Sequence, residues 1–255
     1  VITYADKVIK TTGVELEDSY ETLWGYDETT KDCLKRNTKE GILEVHWTTG
    51  SGNWETWMYG RQLDNWDYYF TWAKWITPSR DIINDFEKEG DEIRKNQAIV
   101  YYACTWSNYY PASNYPFMYK LRSSYSNIYW IRLADIILMK AEAEAYKGNL
   151  DESAKLVNQI RKRAKLKELT SDKTNSKEAM IEAVLHERRL ELAFEGERWF
   201  DLCRNNKVEK YLNGIDNRDK GRIKQVKLFD SNSYLLPIPQ TALDQNTNLE
   251  QNPGY

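Results

Sequence analysis

The spacing of apolar positions changes along the chain, and the elements it predicts change with it. "ITYADKVIKTTG" sets Ala5, Val8 and Ile9 on one face of a helix over residues 1–12 and reaches a stop at Gly13. "GILEVHW" (41–47) alternates and is β-branched, which predicts a short strand. From Thr48 to Pro78 no period persists, so this stretch is read as a long loop or small irregular subdomain. "SRDIINDFEKEG" (79–90) predicts a short helix and "SNYYPASNYPF" (107–117) a loop. "IYWIRLADIILMKAEAEAYKG" (128–148) is apolar on most sides and predicts one long buried helix, ended by Gly148 and Asn149. Asp151 is placed to N-cap a second helix, whose stripe is Ala154, Val157, Ile160 and Ala164. Asn175 with Glu178 makes a capping-box pair for a third helix, expected to run on through residue 202. Beyond a polar turn region (213–224), Pro237, Pro239 and Pro253 predict an extended tail.

Two antiparallel helices joined by "KGNLDESA" look like a tetratricopeptide-type unit, whose repeat is ~34 residues. The small residues Ala141, Ala145 and Ala154 fit that reading, because they let helices approach closely. Tyr4–Gly13 resembles the second helix of another such unit. The expected fold class is therefore mainly α, with tetratricopeptide-like helix pairs, long irregular loops and a few short strands. Residues 1–127 are expected to hold the end of a helical unit and a Trp-rich loop subdomain. Residues 128–255 are expected to form a helical region with a Pro-containing tail. The chain opens at Val1 on a helix already under way, which suggests a piece of a longer protein.

Charge alters this picture in one place. "HERRLELAFEGERWFDL" (186–202) is the densest charged run. At about 100° per residue, Ile181, Leu185, Arg188, Leu192, Glu195 and Trp199 share one narrow helical face. Arg188 and Glu195 then sit on the apolar stripe, where charges without partners cost several kcal/mol. One reading is a structural clamp of Arg188, Glu191, Glu195, Arg198 and Asp201, with helical neighbours as partners. The other is a pair of catalytic carboxylates for glycoside hydrolysis, roughly 5–9.5 Å apart. A general acid needs a raised pKa, and the arginines in the run push the other way, which favours the clamp.

The net charge of -3 makes nucleic acid a poor partner, since phosphate attraction needs a basic excess. The basic run "RKRAKLK" (161–167) is read as a last helical turn, where cations meet the negative end of the helix dipole favourably. Cys33, Cys104 and Cys203 are widely spaced, and His46 and His186 sit in no ligand motif, so no His or Cys metal site is expected. No cofactor is implied; a structural calcium on oxygen ligands is left open by the composition. No apolar run approaches the roughly 18 residues of a spanning helix, and no signal peptide is visible.

Three segments together resemble the C-terminal half of SusD/RagB proteins: "RLADIILMKAEAEAYKGNLDESAKLVNQIRKRA", "ERRLELAFEGERWFDLCR" and "YLLPIPQTALDQNTNLEQNPGY". Weaker similarity extends to "TPSRDIINDFEKEGDEIR" and "YADKVI". The resemblance implies a SusD-like α-α superhelix without enzymatic activity. It implies an outward-facing lipoprotein of the cell outer membrane that binds glycans for nutrient uptake. It implies a SusC-like TonB-dependent transporter as partner, and membrane contact only through a lipid anchor in a missing N-terminal part. Alternatives are a peptide nutrient or a role mainly as the transporter's lid, with a glycoside hydrolase the most distant.

Six of the ten tryptophans lie between Trp47 and Trp75, interleaved with polar residues. Sugars offer apolar C–H faces for ring stacking and hydroxyls for hydrogen bonds. The candidates for stacking are Trp54, Trp57, Trp66, Trp72 and Trp75, and those for hydrogen bonding are Asn53, Arg61, Asp64 and Asn65. Burial in a small core is the competing role for these rings. Residues 104–116, with Trp106, Tyr109 and Tyr110, form a second candidate loop for a glycan or for the transporter.

Overall fold

The computed structural model describes residues 1–27, 29–30, 32–47, 77–105, 107, 109–122, 126–219 and 224–255. The described chain divides into two compact units, Val1–Glu197 and Arg198–Tyr255. It is mainly helical, with three two-stranded antiparallel sheets.

The first unit is built on α5 (Leu133–Lys147), α6 (Leu150–Arg163) and α8 (Lys177–Glu191). Leu133, Ile137, Leu138, Ala141, Leu156, Val157, Ile160, Met180 and Val184 make one continuous core between them. Val8 and Ile9 of α1 (Ile2–Ile9) pack onto it. Ala141 and Ala145 are fully buried, and the Ser153 hydroxyl of α6 donates to the Ala141 carbonyl at 2.7 Å. Only small side chains leave room for so close a crossing. The reversal between α5 and α6 depends on Gly148, whose φ of 84° is left-handed. The Gly148 and Asn149 amides return to the carbonyls of Ala145 and Glu144, satisfying the end of α5.

A second core joins α3 (Arg80–Glu89), α4 (Glu92–Ala98) and α8 through Ile82, Ile83, Phe86, Ala98 and Leu190. The N-cap of α3 is Ser79, and Gly90 closes it in the left-handed region. A third cluster sets Tyr20, Leu23 and Trp24 against Tyr129; Leu23 and Trp24 belong to the one-turn helix α2 (Glu21–Trp24). The sheets pair β1 (Tyr26–Asp27) with β2 (Asp32–Cys33), β3 (Gly41–Val45) with β6 (Ile128–Arg132), and β4 (Ile99–Tyr102) with β5 (Tyr115–Met118).

Several boundaries differ from the sequence reading. Residues 128–132 are strand, because β3 supplies antiparallel backbone partners for them; the helix begins at Leu133. Residues 115–118 are strand for the same reason, paired with β4. Asn149 takes the N-cap position of α6, and Asp151 lies in its first turn. Ser176 caps α8, accepting from the Ala179 amide at 3.2 Å. α8 stops at Glu191, and a turn with Phe194 at φ 66° and Gly196 at φ 93° interrupts the expected long helix. α7 (Ser171–Thr174) is a single turn before that cap.

The second unit holds α9 (Arg198–Arg204), α10 (Val208–Leu212), α11 (Ile215–Arg218), a 3-10 turn (Ser231–Tyr234) and α12 (Gln240–Gln245). Pro239 does not exclude helix: it precedes the first residue of α12, where no N–H is needed. The extended residues before it are held by side chains of the last residues. Gln251 bonds both the amide and the carbonyl of Ile238, at 2.8 and 2.9 Å. Asn252 donates to the Leu236 carbonyl and the Tyr255 hydroxyl to that of Leu235.

Candidate functional site

Buried charge gathers at the end of α8, in the interior of the first unit. Because the helix stops at Glu191, the Glu191 carbonyl has no amide one turn ahead to accept from. It takes the Tyr20 hydroxyl at 2.9 Å, Lys120 Nζ at 3.2 Å and Arg132 Nη2 at 2.8 Å instead. The Glu191 carboxylate meets Arg94 at 3.2 Å, Arg132 at 2.6 Å and Arg163. Arg132 reaches Glu191, Glu195 and Glu40 through five hydrogen bonds. Lys120 also bonds Glu195, and Arg94 also holds Glu187 at 2.7 Å and Asp91. Arg161 links Glu187 to Glu89, which His186 and Lys173 approach from the surface.

Electrostatics follow from this geometry. Burial pushes the Glu191 carboxyl up, but Arg163, Arg132 and Arg94 outweigh it and hold the group well below the usual carboxylate range. Glu195 is likewise raised by burial and lowered further by Arg132 and Lys120, for a net depression. The hydrogen bond from His186 depresses Glu89 most, with Arg161 and Lys173 adding to it against burial. Burial lowers the Lys120 ammonium to about 8 despite Glu195. Carboxyls depressed in the fold stabilise it above their unfolded pKa near 4.5, and that stability is lost as pH falls below it. Urea unfolding from pH 7 to pH 3 should show stability falling steeply below about pH 5, and Glu89→Gln should flatten the slope. An unchanged slope in that variant would remove Glu89 from the account.

The residues singled out in 186–202 separate. Arg188, Glu191 and Glu195 lie in the first unit, where Arg188 pairs with Asp135 at 2.7 Å. Arg198 and Asp201 lie in the second, where Arg198 stacks 4.8 Å from the Tyr211 ring and Asp201 pairs with Arg204. The pairs of Glu191 and Glu195 reach across the fold, not along the helix. Sequence reasoning missed Glu40, Arg94, Lys120, Arg132, Arg161, Arg163 and Glu187. A signal existed: Arg132 interrupts an apolar run, and Arg161 and Arg163 of the basic run are buried ion-pair partners, beyond any role toward the helix dipole.

The aromatic candidates fall differently. Trp54, Trp57, Trp66, Trp72, Trp75, Asn53, Arg61, Asp64, Asn65 and Trp106 lie outside the described residues. Tyr109 and Tyr110 are described; their rings meet edge to face at 4.7 Å, beside a cluster of Cys104, Tyr115 and Phe117. Among the described residues no group of three or more His, Cys, Asp or Glu is arranged to hold a metal, and no helix is long and apolar enough to cross a membrane.

The model of the SusD family matches residues 109–255. SusD-like protein P38 of Formosa agariphila is 36% identical over 136 residues, 51% of this chain and 25% of that protein. SusD-like protein P2 of the same organism is 33% identical over 144 residues, 52% of this chain and 27% of that protein. These matches span about a quarter of each relative's length. Among solved structures, a SusD superfamily protein from Bacteroides vulgatus superposes with a TM-score of 0.73 at 24% identity, covering all of this chain and 58% of its own. Surface glycan-binding protein A from Bacteroides thetaiotaomicron, in complex with laminarihexaose, gives a TM-score of 0.73 at 17% identity, covering 98% of this chain and 58% of its own.

Proposed function

Since this chain belongs to the SusD family, we propose that it is the glycan-recognising C-terminal portion of a cell-surface nutrient-uptake protein. The observation that carries the proposal is the family match over residues 109–255, on a helical frame like that of a protein solved with laminarihexaose. Recognition is passive: rings stack on sugar faces and polar side chains take the hydroxyls. The ring candidates are Trp54, Trp57, Trp66, Trp72 and Trp75; Asn53, Arg61, Asp64 and Asn65 are the polar ones. The whole protein sits on the outer membrane through a lipid anchor and delivers its ligand to a SusC-like TonB-dependent transporter. Arg188, Glu191 and Glu195 act as a structural clamp within their unit, as do Arg198 and Asp201 within theirs. Glu191 and Glu195 are held ionised by arginine and lysine, which suits an ion-pair clamp and not a general acid.

A glycan-binding screen on the full-length protein tests this, with Trp72→Ala and Trp75→Ala beside it. Each truncation removes about 1.5–3 kcal/mol of aromatic burial, so binding should weaken by about tenfold or more. Unchanged binding in both variants rejects the choice of segment. Binding of peptides in place of glycans rejects the ligand class, and release of shorter sugars from a polysaccharide rejects the passive role.

A further inference from the structure

The basic run at residues 161–167 divides between two environments. Arg161 and Arg163 turn inward and are neutralised, Arg161 by Glu187 and Glu89, and Arg163 by Glu40 and Glu191. Lys162, Lys165 and Lys167 are exposed and form no ion pair among the described residues. Lys155 lies two turns before Lys162 on the same face of α6, and it meets the Glu152 carboxylate only at 3.9 Å. These four lysines line one open groove of about 1040 Å³, with the side-chain amides of Asn158 and Gln159 between them. Asp151 and Glu168 are its acidic members, so cations outnumber carboxylates there by four to two. The chain as a whole carries a net charge of -3, which makes this groove a local reversal of sign.

The wall of the groove is fixed by the chain that follows α6. The Lys165 amide donates to the Lys162 carbonyl at 3.0 Å and the Leu166 amide to the Arg161 carbonyl at 2.9 Å. Arg161 Nε donates to the Lys167 carbonyl at 2.8 Å, and the Leu169 amide to the Asn158 side chain at 2.9 Å. Residues 164–169 are thereby held against the helix. This closure sets Lys165 at φ 57°, in the left-handed region. α3 and α5 end in that region on Gly90 and Gly148, because glycine adopts it without a steric cost. A lysine in the same position works against local stability, and among the described residues no ion pair of its ammonium compensates.

We propose that this groove is an anion subsite for a glycan bearing sulfate or carboxylate groups, contacted by Lys155, Lys162, Lys165 and Lys167. That the ligand is a glycan rests on the reading that the protein recognises glycans; the groove adds the sign of its charge. A concave site suits a chain of sugar rings better than a flat lipid surface. The amides of Asn158 and Gln159 offer hydrogen bonds to hydroxyls beside the charged groups.

Dextran sulfate and dextran, the same chain with and without anions, are the probes for the full-length protein. Dextran sulfate should bind about tenfold more tightly than dextran, and the difference should shrink as salt rises. Lys162→Gln with Lys165→Gly should weaken dextran sulfate binding about tenfold. Lys10→Gln with Lys147→Gln removes the same charge from exposed positions elsewhere on the first unit and should leave binding unchanged. Lys165→Gly alone should raise the melting temperature while it weakens binding, a split that a merely structural lysine would not produce. Equal affinity for the two dextrans overturns the anionic class. Full dextran sulfate binding in the groove variant, or an equal loss in the control, overturns the site. Groove-dependent binding of phosphatidylglycerol vesicles without binding of dextran sulfate overturns the glycan as occupant. Peptide binding in the glycan screen, with dextran sulfate still held through these lysines, rejects the wider reading and supports the subsite.

Discussion

Glu191→Gln is expected to destabilise the first unit by about 3–5 kcal/mol, the range for removing one partner of a buried ion pair. The side chain is fully buried, and its carboxylate neutralises Arg94, Arg132 and Arg163 together. Glutamine keeps the shape and one carbonyl oxygen but leaves three buried guanidinium groups with less negative charge than they need. The exposed pair of Lys95 with Glu87 gives the contrast, since surface pairs contribute about 0–1 kcal/mol. Urea denaturation of the full-length variant at pH 7 checks the expectation through its midpoint. A loss under about 1 kcal/mol would mean that water screens the network, and the clamp would be rejected.

Phe86→Ala should cost a similar amount, about 3–5 kcal/mol, for a different physical reason. The ring is fully buried among Ile82, Ile83, Ala98, Ile99 and Leu190. Truncation removes apolar transfer energy and leaves a cavity at the junction of α3, α4 and α8. Those helices also carry Arg94, Glu187 and Glu191, so they cannot close the gap without stretching ion pairs. Phe86→Leu should recover roughly half of the loss, because most of the volume returns. Equilibrium unfolding of both variants decides it; equal stability of Phe86→Ala and wild type would show that the second core contributes nothing.

Much of the helical frame was legible in the sequence because it rests on local period and punctuation. The 3.6-residue stripe of α6, the glycines at 90 and 148, and the small residues Ala141 and Ala145 each act within a few positions of themselves. Residues 128–132 were not legible. Their apolar run continues into α5 without a break, and only pairing with β3, more than 80 residues earlier, makes them strand. The end of α8 was missed for a related reason: its helical pattern persists past Glu191, while the chain turns away through Phe194 and Gly196.

The charged run shows the same division. The helical wheel set Arg188 and Glu195 on a buried stripe, and from that alone partners were required. It named helical neighbours, because those are the only partners that spacing can reveal. The structure supplies Arg94 from 97 residues before Glu191, Arg132 from 59 and Arg163 from 28. By itself the sequence determined the helix pair, the family it resembles and the need to compensate buried charge, since each follows from residues close together along the chain. Only the tertiary structure decided which cation meets which carboxylate, and that the Tyr110 hydroxyl meets the Pro78 carbonyl, because those choices depend on distances through space that no local period encodes.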